Sequence, residues 1–144
     1  MKNPKNFFHM ISYLQYPLIL IALAFYVPFV MSLLNKAVDW SYLNYSLILL
    51  GVALSFSTLQ DTTTTQNELS KKIWQDPKKG QRMLYLVAVM ALLFMLAGFL
   101  FLFVLPIKGA EDVAVGLIVL GIGFIGILKA AIEMFENHRL DKNG

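Results

Sequence analysis

Residues 82–107 read RMLYLVAVMALLFMLAGFLFLFVLPI, and between Arg82 and Lys108 the only ionisable side chain is that of Tyr85. At a rise of about 1.5 Å per residue the run reaches roughly 35 Å as a helix, enough to cross a bilayer core of about 30 Å. A buried helix of a soluble protein keeps a polar stripe, whereas apolar residues here cover every face. The stretch is therefore expected to span a membrane, and the rest of the chain is read outward from it.

Of the 144 residues 58% are hydrophobic and only 15% charged, so one span cannot account for the excess and several are expected in a single membrane domain, 1–144. Cysteine is absent, which removes disulfides, thiolate metal sites, cysteine nucleophiles and palmitoylation together. The net charge of +3 does not point to nucleic acid, because the basic residues sit beside apolar segments, where membrane topology accounts for them.

Upstream, Pro17 to Leu34 forms a first span, with Pro28 inside it unable to donate to the Ala24 carbonyl. Lys2 and Lys5 before an apolar run resemble a signal peptide, but the run continues well past Ala22-Leu23-Ala24, which argues against cleavage. Residues 3–16 have Asn3 and Pro4 placed as N-cap and first helical residue, followed by Phe7, Ile11 and Leu14 on one face. They read either as a short interfacial amphipathic helix or as the cytoplasmic end of the first span. A polar turn, Asn35 to Asp39, leads to a second span over about 40–59, opened by the belt aromatics Trp40, Tyr42 and Tyr45. The sequon Asn44-Tyr45-Ser46 would lie at or below the membrane surface and is read as accidental.

The polar segment 60–81 is read as a cytoplasmic loop in which Asn67 caps a short helix with Leu69, Ile73 and Trp74 on its apolar side, ended by Asp76-Pro77. The third span covers about 82–105, closing at Leu105-Pro106, and Lys108 to Asp112 form a second turn. A fourth span, about 113–131, continues as a helical cytoplasmic tail over 132–144, where Lys129 and Glu133, and Glu136 and Arg139, are spaced to pair. The expected fold is thus an all-α integral membrane protein of four transmembrane helices, arranged as two helical hairpins. Ten Lys and Arg lie in the N-terminal segment, the central loop and the tail, against only Lys36 and Lys108 in the turns, so both termini are expected inside.

The hydrophobic effect does not drive helices together in lipid, so contacts are expected where small residues allow close approach or polar ones bond across. On the second span Asn44, Gly51 and Thr58 recur every seven residues, with Ser55 one turn beyond Gly51. On the fourth, Gly116, Gly123 and Ala130 recur likewise, Gly126 precedes Ala130 by four, and Gly121 points nearly the opposite way. A helix shaped so is expected to touch two neighbours, the second of them in another chain on one reading. The third span offers Ala91 and Gly98. Lys71, Lys72, Trp74, Lys78, Lys79 and Lys129 are candidates for lipid headgroups or cytoplasmic docking.

Apart from Arg82 at the very start of the third span, no Asp, Glu, His, Lys or Arg lies within the spans until Lys129, which argues against acid–base catalysis in the membrane and against a proton or cation carrier. Small four-helix multidrug carriers are similar in size but keep a membrane-embedded glutamate in their first helix, a place no residue between Pro17 and Leu34 fills. His9 and His138 lack an obvious carboxylate partner, so neither a metal nor a cofactor is expected. The leading expectation is a noncatalytic accessory or scaffold subunit of a bacterial-type cytoplasmic (inner) membrane complex. Its partners would be membrane lipids and either other membrane subunits or copies of itself. The alternative is a small oligomeric channel or carrier lined by Asn44, Ser55 and Thr58.

Overall fold

The computed structural model of the chain describes residues 3–65, 67–105 and 108–143. Among these residues the structure is all helical, with seven elements: α1 (Pro4–Ser12), α2 (Gln15–Leu34), α3 (Trp40–Ser57), α4 (Glu68–Gln75), α5 (Pro77–Phe103), α6 (Glu111–His138) and α7 (Leu140–Asn143). Four stretches are long and apolar enough to cross a membrane: α1–α2 taken together, α3, α5 and α6. By composition this is a multi-pass membrane protein.

Local chemistry explains the boundaries. The Asn3 side chain accepts a hydrogen bond from the Lys5 N–H at 3.2 Å, and Pro4, which has no N–H to leave unsatisfied, takes the first helical position. Between α1 and α2 the ladder tightens to three-residue spacing, with Leu14 N–H on the Ile11 carbonyl and Tyr16 N–H on that of Tyr13, so the two helices join without an extended break. Helix α2 continues through Pro28 to Leu34. It ends in a reciprocal cap: Ala37 N–H reaches the Ser32 carbonyl and Lys36 N–H that of Leu33, while Lys36 takes the left-handed conformation (φ 58°) usually left to glycine. Asp39 then caps α3 by accepting from the Ser41 N–H.

Asn67 caps α4 by accepting from Ser70 N–H at 2.8 Å. Asp76-Pro77, read from sequence as a stop, also starts the next helix: the Asp76 carboxylate accepts from Lys78 and Lys79 N–H groups and Pro77 stands at the first helical position. Helix α5 therefore begins at Pro77 rather than near Arg82, which puts Lys78, Lys79 and Arg82 on its first turns instead of in a loop. It closes at Phe103; the expected stop at Pro106 lies outside the described residues. Leu69, expected on the apolar side of α4, is exposed, while Ile73 and Trp74 are half-buried.

The long helices stand side by side in the order α2, α3, α6, α5, each packed on the next, with α4 laid across α5 and α6 at one end. The buried core is made largely of small residues, Ala22, Ala53, Ala91, Ala114 and Ala131 among them, joined by Val87, Leu120, Phe29 and Phe135. Large apolar side chains point outward instead, such as Leu20 and Leu23 on α2 and Leu92 and Leu96 on α5. That inversion of a soluble core suits lipid, where large side chains gain nothing by leaving the solvent and small ones let backbones approach. Trp40 marks one end of the row: its indole lies against Gly109 (φ 88°) and its rings meet Phe29 at 5.9 Å, so both short turns share that end. The other end gathers α1, residues 59–64, α4 and the end of α6, tied by Asn137 Nδ2 donating to the Thr62 carbonyl at 3.2 Å.

Candidate functional site

Helix α6 is the hub of the row, packed on α3 by one face and on α5 by the other. Toward α3 it presents Gly116, Gly123 and Gly126. A Cβ on Gly123 would stand 2.7 Å from the Gly51 carbonyl oxygen, and one on Gly51 would stand 2.6 Å from that of Val119. The two backbones touch here, which only glycine at both positions allows. Two turns nearer the Trp40 end, Asn44 Oδ1 accepts a 2.7 Å hydrogen bond from the Gly116 N–H, so a polar side chain also joins α3 to α6. At the opposite end the Thr58 methyl fills the notch over Gly126, and half-buried Ala130 lines a cavity with Ser57 and Trp74.

Toward α5, Gly121 lies under the Met95 side chain and near the Ala91 carbonyl, and Gly98 of α5 meets Ile118 and the Ala114 carbonyl of α6. Ala91 is 4% exposed in this contact, and Phe94 stacks on Phe124 at 5.4 Å between ring centroids. The neighbour of Gly121 is thus α5 of the same chain. The second-chain reading of that face is corrected, because Met95 already occupies it.

The expected polar line on α3 does not form a line. Asn44 reaches α6, but Ser55 is exposed and its hydroxyl donates back to the Gly51 carbonyl of its own helix at 3.0 Å. The Thr58 hydroxyl likewise donates to the Ser55 carbonyl at 2.7 Å. Both hydroxyls satisfy backbone acceptors locally, so neither hydroxyl bridges helices. The polar residue that does bridge on this helix besides Asn44 is Ser46. It is 2% exposed, and its hydroxyl donates 2.9 Å to the Ala22 carbonyl of α2. Sequence reasoning passed over it, although Ser46 and Ala53, seven apart and both small, carry the same signal used for Gly51.

Gly80 was missed as well. It sits beneath the Phe135 ring, whose carbons would come within 2.4 Å of an added Cβ, and the Arg139 guanidinium covers the ring at 4.8 Å. Arg139 is held there by Glu136 at 3.0 Å and by Asp141 at 2.6 Å, and these acids keep its pKa above the ordinary value, with the Asp141 hydrogen bonds the larger cause. The stack clamps the end of α6 to the start of α5.

The cationic candidates divide by location. Lys71 and Lys72 are exposed on α4, and Lys78 and Lys79 open α5, Lys79 lying 3.7 Å from Asp76. Lys129 is 81% exposed at its side chain and pairs with Glu133 at 3.0 Å. Trp74 is half-buried and lines the Ala130 cavity between α4 and α6. A cleft of about 460 Å³ opens between α1 and residues 59–64. On its wall Asp61 accepts from the Thr63 hydroxyl and N–H, which hold its carboxyl below the ordinary carboxylate range, helped by the facing charges of Lys5 and His9. His9 is bonded locally to Tyr13 and His138 to the Met134 carbonyl.

No protein-family model matches this chain, no curated protein matches it in sequence, and no solved structure matches its fold.

Proposed function

We propose that the chain is a noncatalytic accessory or scaffold subunit of a larger complex in a bacterial-type cytoplasmic membrane. The observation that carries the reading is how the polar groups of the long helices are used. Asn44 and Ser46 bond to backbone of neighbouring helices, which commits them to packing, and Ser55 and Thr58 bond to backbone of their own helix. A carrier or pore needs polar groups facing a path, and all four of these hydrogen-bond to protein backbone, Ser55 from an exposed position. The outer faces of α2 and α5 meanwhile offer long apolar surfaces to lipid or to other membrane subunits.

In this reading α2–α3 and α5–α6 are two hairpins with their short turns outside and both termini inside. Support for the orientation comes from charge: Lys71, Lys72, Lys78, Lys79 and Arg82 lie at the end opposite Trp40, whereas the turns carry only Lys36 and Lys108. Single cysteines introduced into this cysteine-free chain test it. Ala37→Cys and Lys108→Cys are expected to react with an impermeant thiol reagent in intact cells, and Thr64→Cys and Lys142→Cys only after permeabilisation.

The function itself is tested by gentle detergent extraction through a C-terminal tag. Membrane proteins recovered in fixed stoichiometry are the expected result. A pure homo-oligomer that conducts ions in reconstituted vesicles would overturn the scaffold reading in favour of a channel.

A further inference from the structure

A shallow groove of about 380 Å³ runs between α4 and the first turns of α5. Its floor is Ile73, Met83 and Leu86, and its rim is Lys79 and Arg82. The spacing of 79, 82, 83 and 86 puts all four α5 residues on one face of the helix. That face runs on as exposed apolar side chains at Val89 and Leu93, toward the middle of the span. Arg82 is exposed and has no carboxylate partner among the described residues. The nearby acid Asp76 is engaged by the Lys78 and Lys79 N–H groups and lies 3.7 Å from the Lys79 ammonium.

We propose that this groove binds one anionic phospholipid, its phosphate held by Arg82 and Lys79 and one acyl chain lying on Ile73, Met83 and Leu86. The geometry matches the two halves of such a molecule. Two cations stand where α5 enters the headgroup layer, and an unbroken apolar stripe descends from them into the hydrocarbon. A guanidinium free of carboxylates presents its planar fork to phosphate oxygens in the paired geometry that suits it. The cleft beside α1 lacks this match, because Asp61 sets a carboxylate among its donors. The proposal rests on α5 spanning a membrane and is independent of which way the protein faces and of the scaffold reading.

The test uses the full chain in nanodiscs of equal parts phosphatidylcholine and phosphatidylglycerol, followed by native mass spectrometry of the released protein with its retained lipids. Incorporation into the disc reports the membrane reading separately. The parent protein is expected to retain phosphatidylglycerol in preference to phosphatidylcholine. Arg82→Gln and Lys79→Gln should each reduce that preference about fivefold, the effect of one cation at an anionic surface. Lys71→Gln with Lys72→Gln removes twice the charge of either variant from exposed positions on α4 and should leave the preference intact. Met83→Ser should shorten retention of both lipids. Equal loss with the Lys71 and Lys72 pair would show diffuse surface charge and overturn the site. Displacement of the bound lipid by millimolar inorganic phosphate would make it an anion site and overturn the lipid assignment. The melting temperature of the Arg82 and Lys79 variants in pure phosphatidylcholine is expected to equal the parent's; a drop there would assign both residues to folding and overturn the proposal.

Discussion

The two faces of α6 solve the same packing problem differently. Toward α3 the contact is backbone on backbone: Gly123 meets the Gly51 carbonyl, Gly51 meets the Val119 carbonyl, and Asn44 stitches the pair through the Gly116 N–H. Toward α5 side chains mediate more of it. Gly121 is covered by the Met95 side chain, and the aromatic pair Phe94–Phe124 fills the space beside it. A backbone oxygen cannot swing aside, whereas a methionine with three rotatable bonds can. The α3–α6 contact is therefore the rigid joint of the row and the α5–α6 contact the compliant one, although both use glycine.

The largest effect should follow from breaking the rigid joint. Gly123→Leu must separate α3 from α6 and is expected to lower stability by about 3 kcal/mol or more, at the upper end of overpacking costs, measured as thermal unfolding in detergent. Gly123→Ala, with its Cβ 2.7 Å from the Gly51 oxygen, should cost about 1 to 3 kcal/mol. On the compliant side Gly98→Ala comes next, since its Cβ would stand 2.9 Å from the Ala114 carbonyl as well as against Ile118. Gly121→Ala should be mildest of these, about 1 to 2 kcal/mol, because its one contact under 3 Å is the Met95 Cγ, which a rotamer change moves, while the backbone atoms of Met95 and Ala91 stand at 3.1 and 3.3 Å. A reversed order for Gly123→Ala and Gly121→Ala would break the distinction between the two faces.

These contacts were only partly legible in the sequence. Spans are local properties, and the stretch at 82–107 announces itself by composition alone. The recurrence of Gly116, Gly123 and Ala130 names a face of α6, since residues seven apart return to nearly the same angle on a helix. What a periodicity does not contain is the identity of the neighbour. Gly121 points away from that face in either case, and only the fold shows Met95 of the same chain waiting there. The start of α5 was hidden for a different reason: Asp76-Pro77 is a stop signal for one helix and a start signal for the next, and lysines at 78 and 79 are good helix formers as well as loop residues. The docking of Phe135 on Gly80 joins residues far apart in the chain, and neither carries a local mark of the other.

The polar stitches sharpen the same comparison at smaller scale. Asn44→Ala removes the Gly116 bond from the rigid joint and should cost about 1 kcal/mol, within the range of interhelical hydrogen bonds in membranes. Ser46→Ala strips the Ala22 carbonyl of its bond in a nearly solvent-free contact and should cost about 0.6 kcal/mol or somewhat more. A stability loss for Ser46→Ala well above that of Asn44→Ala would move the tightest polar coupling from α3–α6 to α2–α3.

The smallest effect is expected at Ser55, and it separates packing from conduction. Ser46 and Ser55 are nine residues apart on one helix, which at 3.6 residues per turn places them about 180° apart. The fold buries the first against α2 and exposes the second, whose hydroxyl folds back onto the Gly51 carbonyl. Such a bond spares a polar group from lipid without joining two helices, so Ser55→Ala removes donor and need together and should change stability by no more than a few tenths of a kcal/mol. If Ser55 instead lined a pore built from several copies of the chain, its outward position would face water in the assembly. Its replacement by alanine would then leave melting unchanged yet alter ion flux through reconstituted vesicles. Unchanged melting is common to both cases, which makes flux the deciding measurement. No flux in either parent or variant is the outcome expected of a packing protein. A conductance in the parent that Ser55→Ala diminishes would place the exposed face of α3 on a path through the membrane.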